Sequence, residues 1–313
     1  MKVLFTYDYG NESMKRLRDQ GINAVFHDER DIDNYIDVSD VEVLVCYKPF
    51  EKINLYDFKS LKVILLSSIG FDQVPTDIIE ELNIIICNNR GGYSIPMGEW
   101  IVLKLLELFK HSKALYKNQD KKTWQMDTTL LELYQKKIVF FGTGTISKEA
   151  AKRLSGFGVD IIGLNTSGHN EMYFDNCYPL SEAKEYIDEA DAVVVALPLT
   201  EKTRGIVGKE VIDSLKASCV LINIARGEVV DEPYLTEALK EKRIRGAALD
   251  VFYQEPLPKE HPLWELDNVI ITCHNSWISE RRNERRFNMI YDNLMKYKEN
   301  KPLLNIVNIL KGY

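Results

Sequence analysis

The sequence predicts an α/β protein built as two parallel-sheet units, each doubly wound, with the second inserted into the chain of the first. Three observations carry this. Apolar runs of strand length alternate with helical stretches along the whole chain. The runs are continuous Val, Ile and Leu, the pattern of parallel strands covered on both faces. The alternation comes in two series separated by one long helical stretch, and 313 residues suit two domains at about 150 each.

The first series opens with an apolar strand at residues 2–7, followed by a polar helix at 13–20. Residues 41–47 (VEVLVCY), 62–68 (KVILLSS) and 84–87 read as further strands. Residues 75–82 read as a helix with Pro75 near its start. The series ends near Asn89, Arg90, Gly91 and Gly92. Residues 96–118 read as one long helix, with Ile101, Leu105, Leu108 and Leu115 at near-helical spacing. The second series has strands at 138–141, 160–164, 192–197, 220–224, 246–250 and 269–272. Six strands with helical crossovers fit a doubly wound, Rossmann-type nucleotide-binding sheet. The last helix, 280–298, is expected to return to the first unit. The expected bounds are therefore 1–95 with 278–313, and 96–277.

Composition removes several classes of function. Hydrophobic residues make up 45% and charged residues 28%, which excludes collagen-like and disordered chains. A net charge of −7 lacks the basic footprint of a nucleic-acid binder, so no nucleic-acid partner is expected. No stretch approaches about 18 apolar residues, and the N-terminus has no signal-peptide pattern. The expectation is a cytoplasmic protein with no membrane partner. Five cysteines without a C-x-x-C read as reduced thiols packed as small hydrophobes, and no metal site is expected.

The chemistry begins at Gly142-Thr143-Gly144-Thr145-Ile146-Ser147, which follows a strand and opens a helix at 146–156. The first glycine permits a tight turn. The second lets backbone approach a pyrophosphate held on the helix N-terminus, where free N–H groups and the dipole favour anions. Ser147 occupies the third glycine position, so the fingerprint is imperfect. The next strand ends at Asn165, where a NAD fingerprint expects Asp or Glu. Asn165, Thr166 and Ser167 form either an ordinary turn or a pocket for the adenosine ribose or its phosphate. Without a carboxylate to repel a 2′-phosphate, NADPH is modestly favoured over NADH.

Further candidates follow successive strands. Leu197 and Pro198 end one strand, with Thr203 shortly after, and Ile224 and Ala225 end another; all are candidate cofactor contacts. Arg226, Asp250, Glu255 and His274 also follow strands, so they fall at the ligand edge of one parallel sheet. The residue types suit reduction of a 2-oxo acid. An arginine fork binds a carboxylate bidentately and polarises a carbonyl. Hydride addition leaves an oxygen that must be protonated, and histidine does this near neutral pH. A carboxylate beside it favours the imidazolium. In the first unit, Tyr47 and Lys48 end a strand and are candidates to line the pocket.

The ordered set of the glycine loop, LPLT, NIARGEVVD, ALDVFYQEPL and HNS resembles the D-isomer-specific 2-hydroxyacid dehydrogenases, which include phosphoglycerate dehydrogenase and glyoxylate/hydroxypyruvate reductases. The resemblance covers nearly the whole chain. It implies a nucleotide-binding domain inserted into a smaller flavodoxin-like substrate domain, a nicotinamide cofactor, and a homodimer formed through the helix after Pro96. It also implies Arg226 as substrate-binding arginine, His274 as acid/base and Glu255 as its partner. Gly142, Gly144, Thr145 and Ile146 would hold the pyrophosphate, and Asp250 would face the nicotinamide end. Ser68, Ile69 and Gly70 look like the family loop whose N–H groups hold the substrate carboxylate.

Cys273 stands where the family usually has Pro, and Trp277 where it often has Gly; Trp277 either narrows the substrate pocket or packs structurally. The arginine run 281–286 reads as a solvated helix face paired with Glu280 and Glu284 rather than as an anion site. His27, His111 and His261 read as structural. The leading expectation is a 2-oxo acid reductase. The alternative is a dinucleotide-sensing binding protein acting through partners, and the intact Arg226, Glu255 and His274 set argues against it. A formate dehydrogenase is disfavoured because its relatives carry an amide where Glu255 stands.

Overall fold

The computed structural model of the chain describes residues 1–32 and 37–312. The chain divides into two compact units, Met1–Tyr93 with Ser279–Tyr313, and Ser94–Ile278. The first comprises β1 (Lys2–Phe5), α1 (Asn11–Asp19), β2 (Asn23–Phe26), β3 (Val43–Cys46), β4 (Val63–Leu66), α2 (Thr76–Glu81) and β5 (Ile85–Cys87). The second carries α3 (Ser94–Phe109), α4 (Ser112–Asp120), β6 (Lys137–Phe141), α5 (Thr145–Leu154), β7 (Asp160–Asn165) and β8 (Asn176–Pro179). It continues through α6 (Lys184–Ile187), β9 (Ala192–Val195), α7 (Lys209–Ser214), β10 (Val220–Asn223), α8 (Glu232–Lys240), β11 (Gly246–Leu249) and β12 (Val269–Ile271). The closing helix, α9 (Arg282–Lys298), belongs to the first unit.

The first unit's sheet is parallel throughout, in the order β2-β1-β3-β4-β5, which is the flavodoxin-like order. Strand side chains alternate between two cores. Leu4, Leu44, Ile64 and Ile86 pack with Ile79 on one face. Val3, Phe5, Val43 and Val45 pack on the other with Leu17 and with Phe287, Ile290 and Leu294 of α9. Both faces are covered, so the inner strands β3 and β4 are buried at every residue.

The second unit's sheet runs β12-β11-β10-β9-β6-β7-β8, again all parallel. The chain leaves β6 outward through β7 and β8, then returns to β9 on the other side. The order therefore reverses at β6/β9, the point where doubly wound sheets open a crevice at their strand ends.

Several expectations are corrected. β2 and β8 are additional strands. Each is four residues long at a sheet edge with mixed burial, so neither produces a continuous apolar run. The helix expected over 96–118 is two helices, because His111 adopts a left-handed backbone (φ 48°) and hydrogen-bonds Asp127 through Nδ1 at 2.9 Å. The apolar period runs on across that break to Leu115, although α4 buries no residue. Four cysteines are buried as expected, but Cys273 is exposed. Finally, the 281–286 arginine run is not uniformly solvated. Arg281 pairs with Glu284 at 3.0 Å, while Arg286 is 6% exposed inside the first unit.

Candidate active site

The glycine loop occupies the switch point. Gly142 adopts φ 101°, and a Cβ there would sit 2.8 Å from the Ala196 carbonyl oxygen just beyond β9. Only glycine meets both conditions. Gly144 is the N-cap of α5, with no side chain capping the first turn, and no atom lies within 4 Å of where its Cβ would be. The helix opening at Thr145 and Ile146 thus offers free N–H groups beside open space, the geometry a pyrophosphate requires. The Thr145 hydroxyl accepts from Ser94 Oγ at 2.8 Å. Ser147 is fully buried, small enough for the third glycine position.

The turn after β7 is self-bonded. Asn165 donates through Nδ2 to the His169 carbonyl at 2.8 Å and accepts from Ser167 N–H at 3.2 Å. Its amide is therefore committed to shaping the turn, while Thr166 and Ser167 are exposed. Two charged residues that the sequence reading missed face this turn. Glu171 pairs with Lys148 Nζ at 2.5 Å and with His169 Nε2 at 3.1 Å. Lys148 and His169 together hold the Glu171 carboxyl below its ordinary range, against a burial effect that raises it.

Beyond β9 and β10, the candidate contacts are mostly spent locally. Thr203 Oγ1 donates to the Pro198 carbonyl at 2.6 Å, fixing the loop after Leu197. Ile224 and Ala225 are buried, and Asn223 ties the turn by bonding Ala225 N–H and the Arg226 carbonyl, each at 3.0 Å. This turn presents Arg226, half-buried. Gly227 explains how it approaches the next loop: a Cβ would fall 2.1 Å from the Phe252 carbonyl carbon. Backbone therefore packs on backbone, bringing the Arg226 turn against the Phe252–Glu255 turn. That second turn is held by Phe252 N–H donating to Glu255 Oε1 at 3.1 Å and Tyr253 N–H donating to the buried Glu232 at 2.9 Å.

His274 lies past β12 in a left-handed conformation (φ 50°), uncommon for a residue with a side chain. Asp250 holds it there. This carboxylate is fully buried and accepts from Thr272 Oγ1 at 2.6 Å, Asn275 N–H at 3.1 Å and Ser276 N–H at 3.0 Å. The Asp250 carbonyl accepts from His274 N–H at 2.8 Å, and the Trp277 indole donates to the His274 carbonyl at 2.8 Å. The side chain of Asp250 is thereby turned into the loop, so its local role is to hold His274. His274 Nδ1 meets Glu255 Oε2 at 2.8 Å. Burial raises the Glu255 carboxyl, but the His274 bond and charge, the Phe252 N–H and Arg226 bring it below its ordinary value.

The candidates of the first unit stand separately. Ser68, Ile69 and Gly70 follow β4, and all three carbonyls are engaged: Asn89 N–H binds Ser68 O at 2.8 Å, Asn88 Nδ2 binds Ile69 O at 3.0 Å, and Ser68 Oγ binds Gly70 O at 2.7 Å. Their N–H groups have no partner among the described residues and are left to take an acceptor from outside the loop. Tyr47 is 50% exposed, and its N–H donates to Glu29 at 3.1 Å. No group of metal-ligating side chains and no helix able to cross a membrane occurs among the described residues.

The model of the D-isomer specific 2-hydroxyacid dehydrogenase NAD binding domain matches residues 102–276. A D-3-phosphoglycerate dehydrogenase of Methanocaldococcus jannaschii is 33% identical over 253 residues; the match covers 80% of this chain and 48% of that protein, so the chain spans about half its length. A glyoxylate reductase of Pyrococcus horikoshii is 29% identical over 98% of this chain and 96% of its own. The crystal structure of a D-isomer specific 2-hydroxyacid dehydrogenase from Xanthobacter autotrophicus Py2, in complex with NADPH and MES, matches with a TM-score of 0.85 at 25% identity, covering 100% of this chain and 99% of that one.

Proposed function

This chain belongs to the D-isomer specific 2-hydroxyacid dehydrogenase family, and we propose that it reduces a small 2-oxo acid to the D-2-hydroxy acid. The single observation that carries the reading is the Glu255–His274 pair at 2.8 Å, held beside Arg226 on the strand-end edge of the nucleotide-type sheet. When bound, the nicotinamide cofactor supplies the hydride. Gly142, Gly144 and the α5 N-terminus hold its pyrophosphate. Arg226 binds the carboxylate and polarises the carbonyl. His274 keeps Nδ1 on Glu255 and delivers a proton from Nε2 to the oxygen that becomes the hydroxyl. In the first unit, the Ser68, Ile69 and Gly70 N–H groups are donors able to take a carboxylate.

NADPH is the modestly favoured cofactor. Exposed Thr166 and Ser167 hydroxyls with Lys148 and His169 nearby support it, and the NADPH-bound Xanthobacter relative agrees. The chain is also proposed to form a homodimer. Leu115, Tyr116, Trp124 and Met126 leave apolar surface exposed on and after α4, with Trp124 fully solvated. The test of the function is a panel of glyoxylate, hydroxypyruvate, pyruvate and bulkier 2-oxo acids with NADPH and NADH. Turnover is expected for at least one of these acids, and cofactor binding without turnover of any would favour the dinucleotide-sensing alternative.

A further inference from the structure

Arg286 is a buried cation with no anionic partner among the described residues. It is 6% exposed, and among the described residues no carboxylate forms an ion pair with it. Its guanidinium carbon lies 4.8 Å from the Tyr7 ring centre, 5.5 Å from Tyr9 and 5.8 Å from Tyr93. Its guanidinium is sparsely bonded: Nη1 reaches Asn283 Oδ1 at 3.5 Å, and Nε has no hydrogen-bond partner among the described residues. A buried charge without a counter-ion is costly. Aromatic faces offset part of that cost without cancelling the charge. The positive potential therefore remains available to a neighbouring anion.

The polar connections out of this cage run to one place. The Tyr9 ring packs against the Arg286 guanidinium, and the Tyr9 hydroxyl meets Ser67 Oγ at 2.9 Å. The Tyr93 hydroxyl donates to the Ser67 carbonyl. Burial raises the Tyr9 and Tyr93 phenols above their ordinary values, so both stay neutral hydrogen-bonding groups. Ser67 is fully buried and directly precedes Ser68, Ile69 and Gly70, the loop whose N–H groups are free. The cage thus grips the base of an anion-accepting loop and carries a net positive charge.

We propose that Arg286 is a positioning residue for substrate, which fixes the 68–70 loop through Tyr9 and Ser67 and adds the buried positive charge that strengthens binding of the substrate carboxylate. This rests on reading that loop as a carboxylate site. The charge is expected to act on binding of anions and to leave a neutral substrate analogue untouched.

The test compares wild type with Arg286→Met, which keeps the apolar stem and removes the charge, and Arg286→Lys, which restores it. KM and kcat are measured for a 2-oxo acid and for its neutral amide at saturating cofactor. Arg286→Met should raise KM for the acid about ten-fold, the order of a unit charge acting at an effective dielectric of about 20. KM for the amide should not change, and Arg286→Lys should recover most of the loss. An equal effect on both substrates, or none on the acid, overturns the proposal. Calorimetric binding of oxalate, which is not reduced, reads the loop without turnover. Wild type that binds oxalate while reducing no 2-oxo acid would sink the proposed function; weakened binding in Arg286→Met would still support the proposal, and undiminished binding would overturn it. Failure of wild type to bind oxalate at all overturns it too. If Arg286→Met does not fold, Tyr9→Phe keeps the ring, removes the hydroxyl link, and must itself weaken oxalate binding for the proposal to survive.

Discussion

Replacing Glu255 by Gln keeps the shape of the pair and removes its charge. In the wild type, Oε2 lies 2.8 Å from His274 Nδ1 and Oε1 accepts the Phe252 N–H. Gln can still accept one of these bonds, so the loss is chiefly electrostatic. Unit charges about 4 Å apart interact by about 4 kcal/mol at an effective dielectric of 20 and about 1 kcal/mol in bulk water. The two side chains are 40% and 36% exposed, which places the pair toward the lower end, about 1–2 kcal/mol. That corresponds to roughly a ten-fold change in an equilibrium and about one pH unit. The sign follows from the chemistry. Reduction needs the imidazolium, the Glu255 charge stabilises it, and its removal lets the proton leave at lower pH. The assay is kcat/KM for 2-oxo acid reduction across pH 5–9 at saturating cofactor. The high-pH limb should move down by about one unit in Glu255→Gln. A limb that stays in place would show that Glu255 does not act on the proton donor.

Arg226→Lys keeps a charge and loses the planar fork, so KM should rise and kcat fall; an intact KM for 2-oxo acids removes Arg226 from the site. Gly227→Ala forces a Cβ to within 2.1 Å of the Phe252 backbone, so the melting temperature should drop and kcat should fall as the Glu255 turn is displaced. Unchanged melting and kcat would contradict the close packing. Glu171→Gln frees Lys148 and His169 to meet a 2′-phosphate, so the NADPH/NADH ratio of kcat/KM should rise about ten-fold. A constant ratio would place the 2′-phosphate elsewhere.

The parts of the fold that could be read from sequence are those whose physics is local and two-sided. Strands such as Val63–Leu66 and Val220–Asn223 are buried on every residue, so the apolar run is the strand. The edge strands β2 and β8 lack that signature because one side faces solvent. The break at His111 was invisible because its partner Asp127 lies beyond α4, and no local residue announces it. In α9 the information was present but overlooked. Arg286 shares a helical face with Phe287, Ile290, Asn293 and Leu294, all buried, whereas a run of arginines suggests solvent. In the site, Arg226, Glu255 and His274 can be grouped from the sequence because each follows a strand of one parallel sheet. The direction in which a strand-end side chain turns cannot be read from it. Asp250 sits where a cofactor contact is expected, yet its carboxylate points into the His274 loop.

That inward turn is one instance of a wider arrangement, which reconciles an acidic chain with an anionic substrate. The protein carries a net charge of −7, and long-range repulsion alone would oppose a carboxylate. Near each strand-end edge, however, carboxylates are occupied by the chain's own N–H groups. Asp250 takes those of Asn275 and Ser276, Glu232 takes that of Tyr253, and Glu29 takes those of Tyr47 and Lys48. Glu255 spends one oxygen on Phe252 N–H and the other on the His274 ring, and Glu232 likewise also meets a ring, that of His261 at 3.5 Å. Donors are treated in the opposite way. The N–H groups of Ser68, Ile69 and Gly70 have no partner among the described residues, and Arg286 has no carboxylate there. Hydrogen bonding to a carboxylate spreads its charge over the loop that donates, so its potential reaches less far than that of an unpaired cation. The local field at these edges is thus set by the donors rather than by net charge. Other acidic residues lie in exposed surface pairs, such as Lys2–Asp40 and Arg281–Glu284, where solvent and salt screen them.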